Sequence, residues 1–278
     1  MDYNAIFFTL MFMLLGCLSL YAADNDLTTK QITITLEKAG TLPDRIASSK
    51  KNKITNLKII GEINGTDLRM IREMAGSNSN GNSTDGKLSV LDLSEAKIVK
   101  GGDCYLNNGY DYTSNDVIGS RAFLGCSGLT SLTLPAGITS IATGVFSSCS
   151  GLTSLTLPAD ITSIGDEAFQ GCSGLTSIYV YAEKVPKIDS NAFKGVDAKK
   201  CTLYVPMGTR YDYCASDFGD YFENIVEFEA TGIDKTTTST DVEEVVRYSV
   251  NGQRLSAPTK GLNIVKYSDG SVKKVAVR

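Results

Sequence analysis

Apolar positions between residues 118 and 187 recur every 23 residues, a spacing far longer than the period of a single helix or strand. Residues 118–140 read IGSRAFLGCSGLTSLTLPAGITS, 141–163 read IATGVFSSCSGLTSLTLPADITS and 164–187 read IGDEAFQGCSGLTSIYVYAEKVPK, with Ile188 opening the next unit. Inside each unit, Leu129, Leu132 and Leu134 and their copies follow L-x-x-L-x-L. That spacing predicts a short strand whose leucines point inward while Ser131 and Thr133 point out. Pro135 ends the strand because it has no N–H for a ladder. Ile138, Ile141 and the phenylalanines at the Phe123 position supply the opposite wall. One unit cannot bury these residues, whereas stacked units share a continuous core. The predicted architecture is an α/β solenoid, a right-handed coil with a parallel sheet on its concave face.

The flanks carry weaker versions of the same pattern. Leu88, Leu91 and Leu93 repeat the strand spacing and NLKIIGEI does so loosely, while QITITLEKAG reads as a first strand. TDLRMIREMAG reads as a helix with Thr66 as N-cap and Gly76 just past its end, and TLPDRIASS reads as another helix. These elements predict an irregular N-terminal cap with helices over residues 24–117. The repeats and a C-terminal cap cover 118–230, with Leu203-Tyr204-Val205-Pro206 as the last strand and an aromatic closing segment after it. Residues 76–86 form a Ser/Asn/Gly loop, and 231–244 a polar linker. Residues 245–278 form a small β-rich tail, in which Asn251-Gly252 and Asp269-Gly270 signal hairpins.

Residues 5–23 are an almost unbroken apolar run followed by Asp24 and Asp26, the layout of a signal peptide spanning 1–23. Leu14-Leu15-Gly16-Cys17 approximates a lipobox, so lipidation at Cys17 competes with cleavage to a free protein, and an uncleaved anchor is a third outcome. Each reading makes the chain exported: secreted, or held at the outer cell surface.

Composition excludes several kinds of chemistry. The 278 residues contain no histidine, which removes Ser-His-Asp, Cys-His and histidine-bearing zinc sites. No Asp/Glu pair in the repeats falls in a cleft, since Asp160, Asp166 and Glu167 belong to turns or the convex side, so no catalytic residue, metal or cofactor is expected. Asp103, Asp111 and Asp116 lack the spacing of a calcium loop. A net charge of −4 without a basic stripe argues against nucleic acid. Lys50, Lys51 and Lys53 read as a solvated loop.

Cys126, Cys149 and Cys172 recur at the repeat spacing and are expected to stack as an internal structural column. One disulfide is sterically allowed between neighbouring coils, but three equivalent thiols cannot all pair. The pairing of Cys104, Cys201 and Cys214 is not legible.

At Ala122-Phe123, Cys126, the leucines and Pro135, with their copies, residues 85–230 resemble the BspA-like leucine-rich repeat family of bacterial surface and secreted proteins. CTLYVPMGTRYDY and FENIVEFE resemble the segment that closes such repeats. ITITLEKAGTLPDRI and LKIIGEINGTDL are similar to regions found ahead of them. The tail is similar to C-terminal domains of exported proteins, including type IX sorting domains, and reads equally as an independent β module. What the resemblance implies is a non-catalytic binding protein at the cell surface. Its partner would be a host or neighbouring-cell surface or matrix protein, such as fibronectin or fibrinogen, with a glycan-binding or structural envelope role as the alternative. A membrane would be met only through a lipid anchor.

Two surfaces are candidate docking sites. The outward strand positions Ser131, Thr133, Ser154, Thr156, Ser177, Tyr179, Tyr181 and Tyr204 line the concave face, although threonine there also suits a solvated strand. The insertion at 104–116 carries Tyr105, Tyr110 and Tyr112 among Asn, Gly and Asp, a composition resembling binding loops and equally consistent with a tyrosine-clasped cap over the first coil.

Overall fold

The computed structural model describes residues 27–28 and 30–229, with the backbone of four further strands between 244 and 277. The signal segment, Cys17, most of the linker and the Asn251-Gly252 and Asp269-Gly270 pairs lie outside the described residues. The chain divides into two compact units, Met1–Ala230 and Thr231–Arg278.

The first unit is built on one parallel sheet. β1 (Ile32–Leu36), β2 (Asn56–Ile63), β3 (Val90–Asp92), β6 (Ser131–Thr133), β8 (Ser154–Leu157), β10 (Ser177–Val180), β12 (Thr202–Pro206) and β13 (Asn224–Phe228) follow one another in space, and β4 (Ala96–Ile98) pairs with the far half of β2. Because the sequence repeats, the register repeats: Leu91, Leu132, Leu155, Ile178, Leu203 and Ile225 face each other across successive strands. All six are buried. Leucine and isoleucine in register thus form one continuous apolar row, which is what a single unit cannot achieve alone.

The sequence pattern anticipated this wall but not a second ladder. β5 (Val117–Ile118), β7 (Ser140–Ile141), β9 (Ser163–Ile164) and β11 (Lys187–Ile188) form a separate four-stranded parallel sheet of two-residue strands. Its isoleucines are the unit-opening positions, buried in the same core as the leucine row. Among the described residues, helices occur only before and after the coils, at residues 27–28, Leu42–Arg45, Ser48–Lys51, Gly65–Met74, Arg210–Cys214 and Asp217–Tyr221.

Between the two ladders each coil turns tightly over a stack of rings. Phe123, Phe146, Phe169 and Phe193 lie face to face, with centroids 5.4, 5.2 and 5.1 Å apart. Cys126, Cys149 and Cys172 run beside them, fully buried. The Cys149 thiol donates to the Phe123 carbonyl and the Cys172 thiol to that of Phe146, both at 3.0 Å. Burial pushes Cys126 and Cys172 up to about 12 and Cys149 well above the ordinary thiol value, which keeps all three protonated. In the fourth coil the place three residues past the phenylalanine is Val196, a group of pure packing character. All six described cysteines, including Cys104, Cys201 and Cys214, are free thiols.

At the phenylalanine turns the coils are also joined by backbone bonds that run in one direction. The N–H groups of Arg121, Phe123 and Gly125 donate to the carbonyls of Thr143, Val145 and Ser147 in the next coil. The equivalent carbonyls of the first coil, Ser120, Ala122 and Leu124, have no preceding coil to serve them. Tyr105 Oη donates to Ser120 at 2.8 Å, and the fully buried Arg72 guanidinium donates to Ala122 at 3.0 Å and Leu124 at 3.1 Å. These two side chains take the place of three missing backbone donors.

Several expectations need correction. Asn64, not Thr66, caps the helix Gly65–Met74: its side chain accepts from Thr66 N–H while Asp67 bonds back to Asn64 N–H. Asp67 also accepts from Gly40 and Leu42, a demand from outside the helix that fixes where it starts. TLPDRIASS is not one helix but two single turns separated at Ile46-Ala47, where the backbone is extended. The strand at Leu203 is not the last, because β13 continues the sheet beyond it.

The second unit is an antiparallel sheet of β14 (Glu244–Ser249), β15 (Arg254–Leu255), β16 (Gly261–Tyr267) and β17 (Val272–Val277) in the order β15-β14-β16-β17.

Candidate functional site

The outward positions of the main sheet form two columns. Val90, Ser131, Ser154, Ser177, Thr202 and Asn224 make one, and Asp92, Thr133, Thr156, Tyr179, Tyr204 and Val226 the other. The strand pitch of roughly 4.8 Å sets the spacing within each column. From β6 to β13 neither column contains a charged residue. The charge sits ahead of them, where Lys58 bonds Glu95 at 2.6 Å and Asp92 at 3.5 Å. Partial burial pushes the Asp92 carboxyl up, but bonds from Ser94 and the Lys58 ammonium outweigh it and hold the group below its usual range.

Two classes of hydroxyl separate on this surface. Thr130, Thr153 and Thr176, one residue before each strand, donate their side-chain hydroxyls to the carbonyls of Ser89, Thr130 and Thr153 and so help join the coils. By contrast, the side chains of Ser131, Thr133, Ser154, Thr156, Ser177 and Thr202 find no hydrogen-bond partner among the described residues. They are half-buried and face outward, open to a partner.

Beside them the sheet becomes aromatic. Tyr179 and Tyr204 stack at 4.5 Å and 7°. Phe228, on the strand that sequence reasoning missed, meets Tyr179 edge-on at 5.7 Å and Tyr181 edge-on at 5.0 Å. Tyr181 lies just past β10, tied by its N–H to the Leu157 carbonyl. Alternation in VEFE could have flagged Phe228, but the pairing of that segment with β12 depends on helices 210–214 and 217–221, which carry the chain back to the sheet.

The insertion at 104–116 divides. Tyr105 is fully buried and serves the first coil, the clasped-cap arrangement, and burial raises its phenol far above the ordinary range. Tyr110 and Tyr112 are 86% and 51% exposed. The loop is ordered by Asn108, whose side chain accepts from the N–H of Tyr110 and Asp111, and by the ion pair of buried Asp111 with Arg121 at 3.1 Å. Asp103, Asp111 and Asp116 are not gathered around a metal position, and no group of potential metal ligands occurs among the described residues. A cleft under the helix 65–74 is lined by Pro43, Ile46, Lys51, Arg69, Glu73 and Asp103. Its acids are engaged, Glu73 by Lys51 at 2.6 Å and Asp103 by Thr66 at 3.1 Å.

This combination of a repeating parallel ladder, a buried ring stack and an outward polar face defines a leucine-rich repeat scaffold. Residues 103–214 match the BspA type leucine rich repeat region in 6 copies. The copies extend the three units legible by eye into both flanks. No curated protein matches the chain. Repeats of this family generally serve as non-catalytic scaffolds for protein interaction, typically in bacterial surface proteins. Among the described residues no helix is long and apolar enough to cross a membrane.

Proposed function

We propose that the chain is an exported, non-catalytic protein that recognises a partner protein through the concave face of a right-handed repeat coil. One observation carries the choice of a protein over a glycan. A sugar ring stacks on an open aromatic face, but the faces of Tyr179 and Tyr204 are turned to each other and Phe228 is packed edge-on beside them. The cluster therefore offers ring edges and phenol hydroxyls beside a grid of unbonded serines and threonines. Tyrosine anchors among small adaptable hydroxyls are the chemistry of protein recognition surfaces. The apolar N-terminal run and the lipobox-like Cys17 support export, with release or lipid anchoring as its two forms. Resemblance to adhesive members of the family makes matrix proteins such as fibronectin and fibrinogen the first partners to test.

Binding of the mature chain, residues 24–278, to immobilised fibronectin and fibrinogen is compared with that of Tyr179→Ala/Tyr204→Ala. Saturable binding weakened at least tenfold by the double substitution supports the concave face. Binding that survives transfers the site to Tyr110 and Tyr112. No binding removes these two ligands, and retention on neutral glycan arrays would then favour the alternative reading of a glycan-binding envelope component.

A further inference from the structure

Among the described residues β13 is the last strand of the main sheet and is bonded on one side only, to β12. Met207 N–H donates to the Phe228 carbonyl at 3.1 Å, which fixes the alternation of the ladder. Asn224, Val226 and Phe228 direct their backbone groups to β12, whereas Ile225 and Glu227 direct theirs away from the sheet. Such an edge is a ready template for another strand.

Here a side chain lies across it. Arg210 Nε donates to the Ile225 carbonyl at 2.8 Å. The segment carrying Arg210 is pinned by the same edge strand, because Glu227 Oε1 accepts from the N–H of Gly208 at 2.9 Å and of Arg210 at 3.0 Å. Exposed apolar surface is also gathered in this part of the unit, with Val226 45%, Met207 60% and Tyr211 82% exposed.

We infer that Arg210 guards this edge against β13 of a second copy of the chain. The strand is self-complementary in an antiparallel pair: with Val226 of each copy on a two-fold axis, Ile225 of one copy faces Glu227 of the other, and the outward backbone groups of both exchange hydrogen bonds. The guanidinium occupies the central acceptor of that arrangement. It thereby keeps Val226 and Phe228, the end of the concave face, uncovered. The inference rests on the edge geometry and is independent of which ligand the face binds.

Light scattering coupled to size exclusion tests it on the mature chain. The wild type should elute with the mass of one chain. Arg210→Met, which keeps the aliphatic stem and removes the donor, should shift toward twice that mass as concentration rises. Adding Glu227→Pro, which deletes an outward N–H, should restore the single-chain mass. If Arg210→Met loses the native circular dichroism, Arg210→Leu, which also lacks a donor, is read in its place by the same criteria. A variant that keeps native circular dichroism and stays at single-chain mass overturns the guard. So does a doubled mass that Glu227→Pro leaves unchanged, or a wild type already doubled.

Discussion

The two ends of the coil array are closed by opposite chemistry. At the start, Arg72 and Tyr105 meet the first coil with hydrogen-bond donors. At the finish, Phe218, Phe222 and Tyr221 pack tilted or edge-on against Phe193, the last ring of the stack. Tyr213 packs on Phe218 and hydrogen-bonds the Ala182 carbonyl. The difference arises from the direction of the backbone bonds at the phenylalanine turns, where each coil donates forward. The first coil is left with unserved carbonyls, and buried carbonyls require partners. The last coil presents the face of a phenylalanine, and burying apolar area is the remedy there.

If the finish is held by packing, Phe218→Ala should be the most damaging change. A fully buried ring removed from a cluster costs about 3–5 kcal/mol, read as a lower urea midpoint. Arg72→Met tests the start: it leaves the Ala122 and Leu124 carbonyls buried without donors, for a loss of about 3 kcal/mol. Loss of stability should be accompanied by hydrogen exchange in the first coil ahead of the third. Tyr105→Phe keeps the ring and removes only the bond to Ser120, so a loss of about 1 kcal/mol is expected. Equal effects of Tyr105→Phe and Arg72→Met would sink the idea that the guanidinium replaces two donors.

Between the ends, titration gives a sharper contrast. Cys126 and Cys172 lie near 12 in the folded chain against 9.0 when unperturbed. A raised folded value means that the stabilisation is complete below pH 9.0 and is lost as pH rises toward 12. Circular dichroism recorded across that window should show alkaline unfolding, which Cys126→Ala/Cys172→Ala displaces to higher pH. An unmoved transition would assign it to Tyr105 and Tyr213, whose phenols are also raised by burial.

The smallest expected effect is a gain. Gly125, Ser148, Gly171 and Gly195 occupy the same turn with φ of 72°, 61°, 71° and 86°. Only serine carries a Cβ there, so Ser148→Gly should stabilise by about 0.5–1 kcal/mol, visible as a higher urea midpoint. An unchanged or lower midpoint would show that the turn does not strain serine.

Much of the coil was legible because a repeat states each position several times. Leu132 and its copies, the buried phenylalanines and the cysteine column could be placed without coordinates, since identical residues at a fixed spacing must stack in register. The face carrying Ser131, Thr133 and Tyr179 came from strand alternation alone. Tyr105 could not be read the same way. Its neighbours Tyr110 and Tyr112 share its composition, and only the location of the unserved Ser120 carbonyl separates a buried clasp from two exposed rings. Phe228 escaped for a related reason: its strand belongs to no repeat, and its partner Tyr181 lies 47 positions earlier in the chain.

The sequence by itself determined the period, the inward row and the polar outward columns, because these depend on residue type at fixed local spacing. Tertiary structure decided how the array begins and ends. Those positions are set by which backbone groups and ring faces are left over when stacking stops, a property of the assembled coils that no single segment contains.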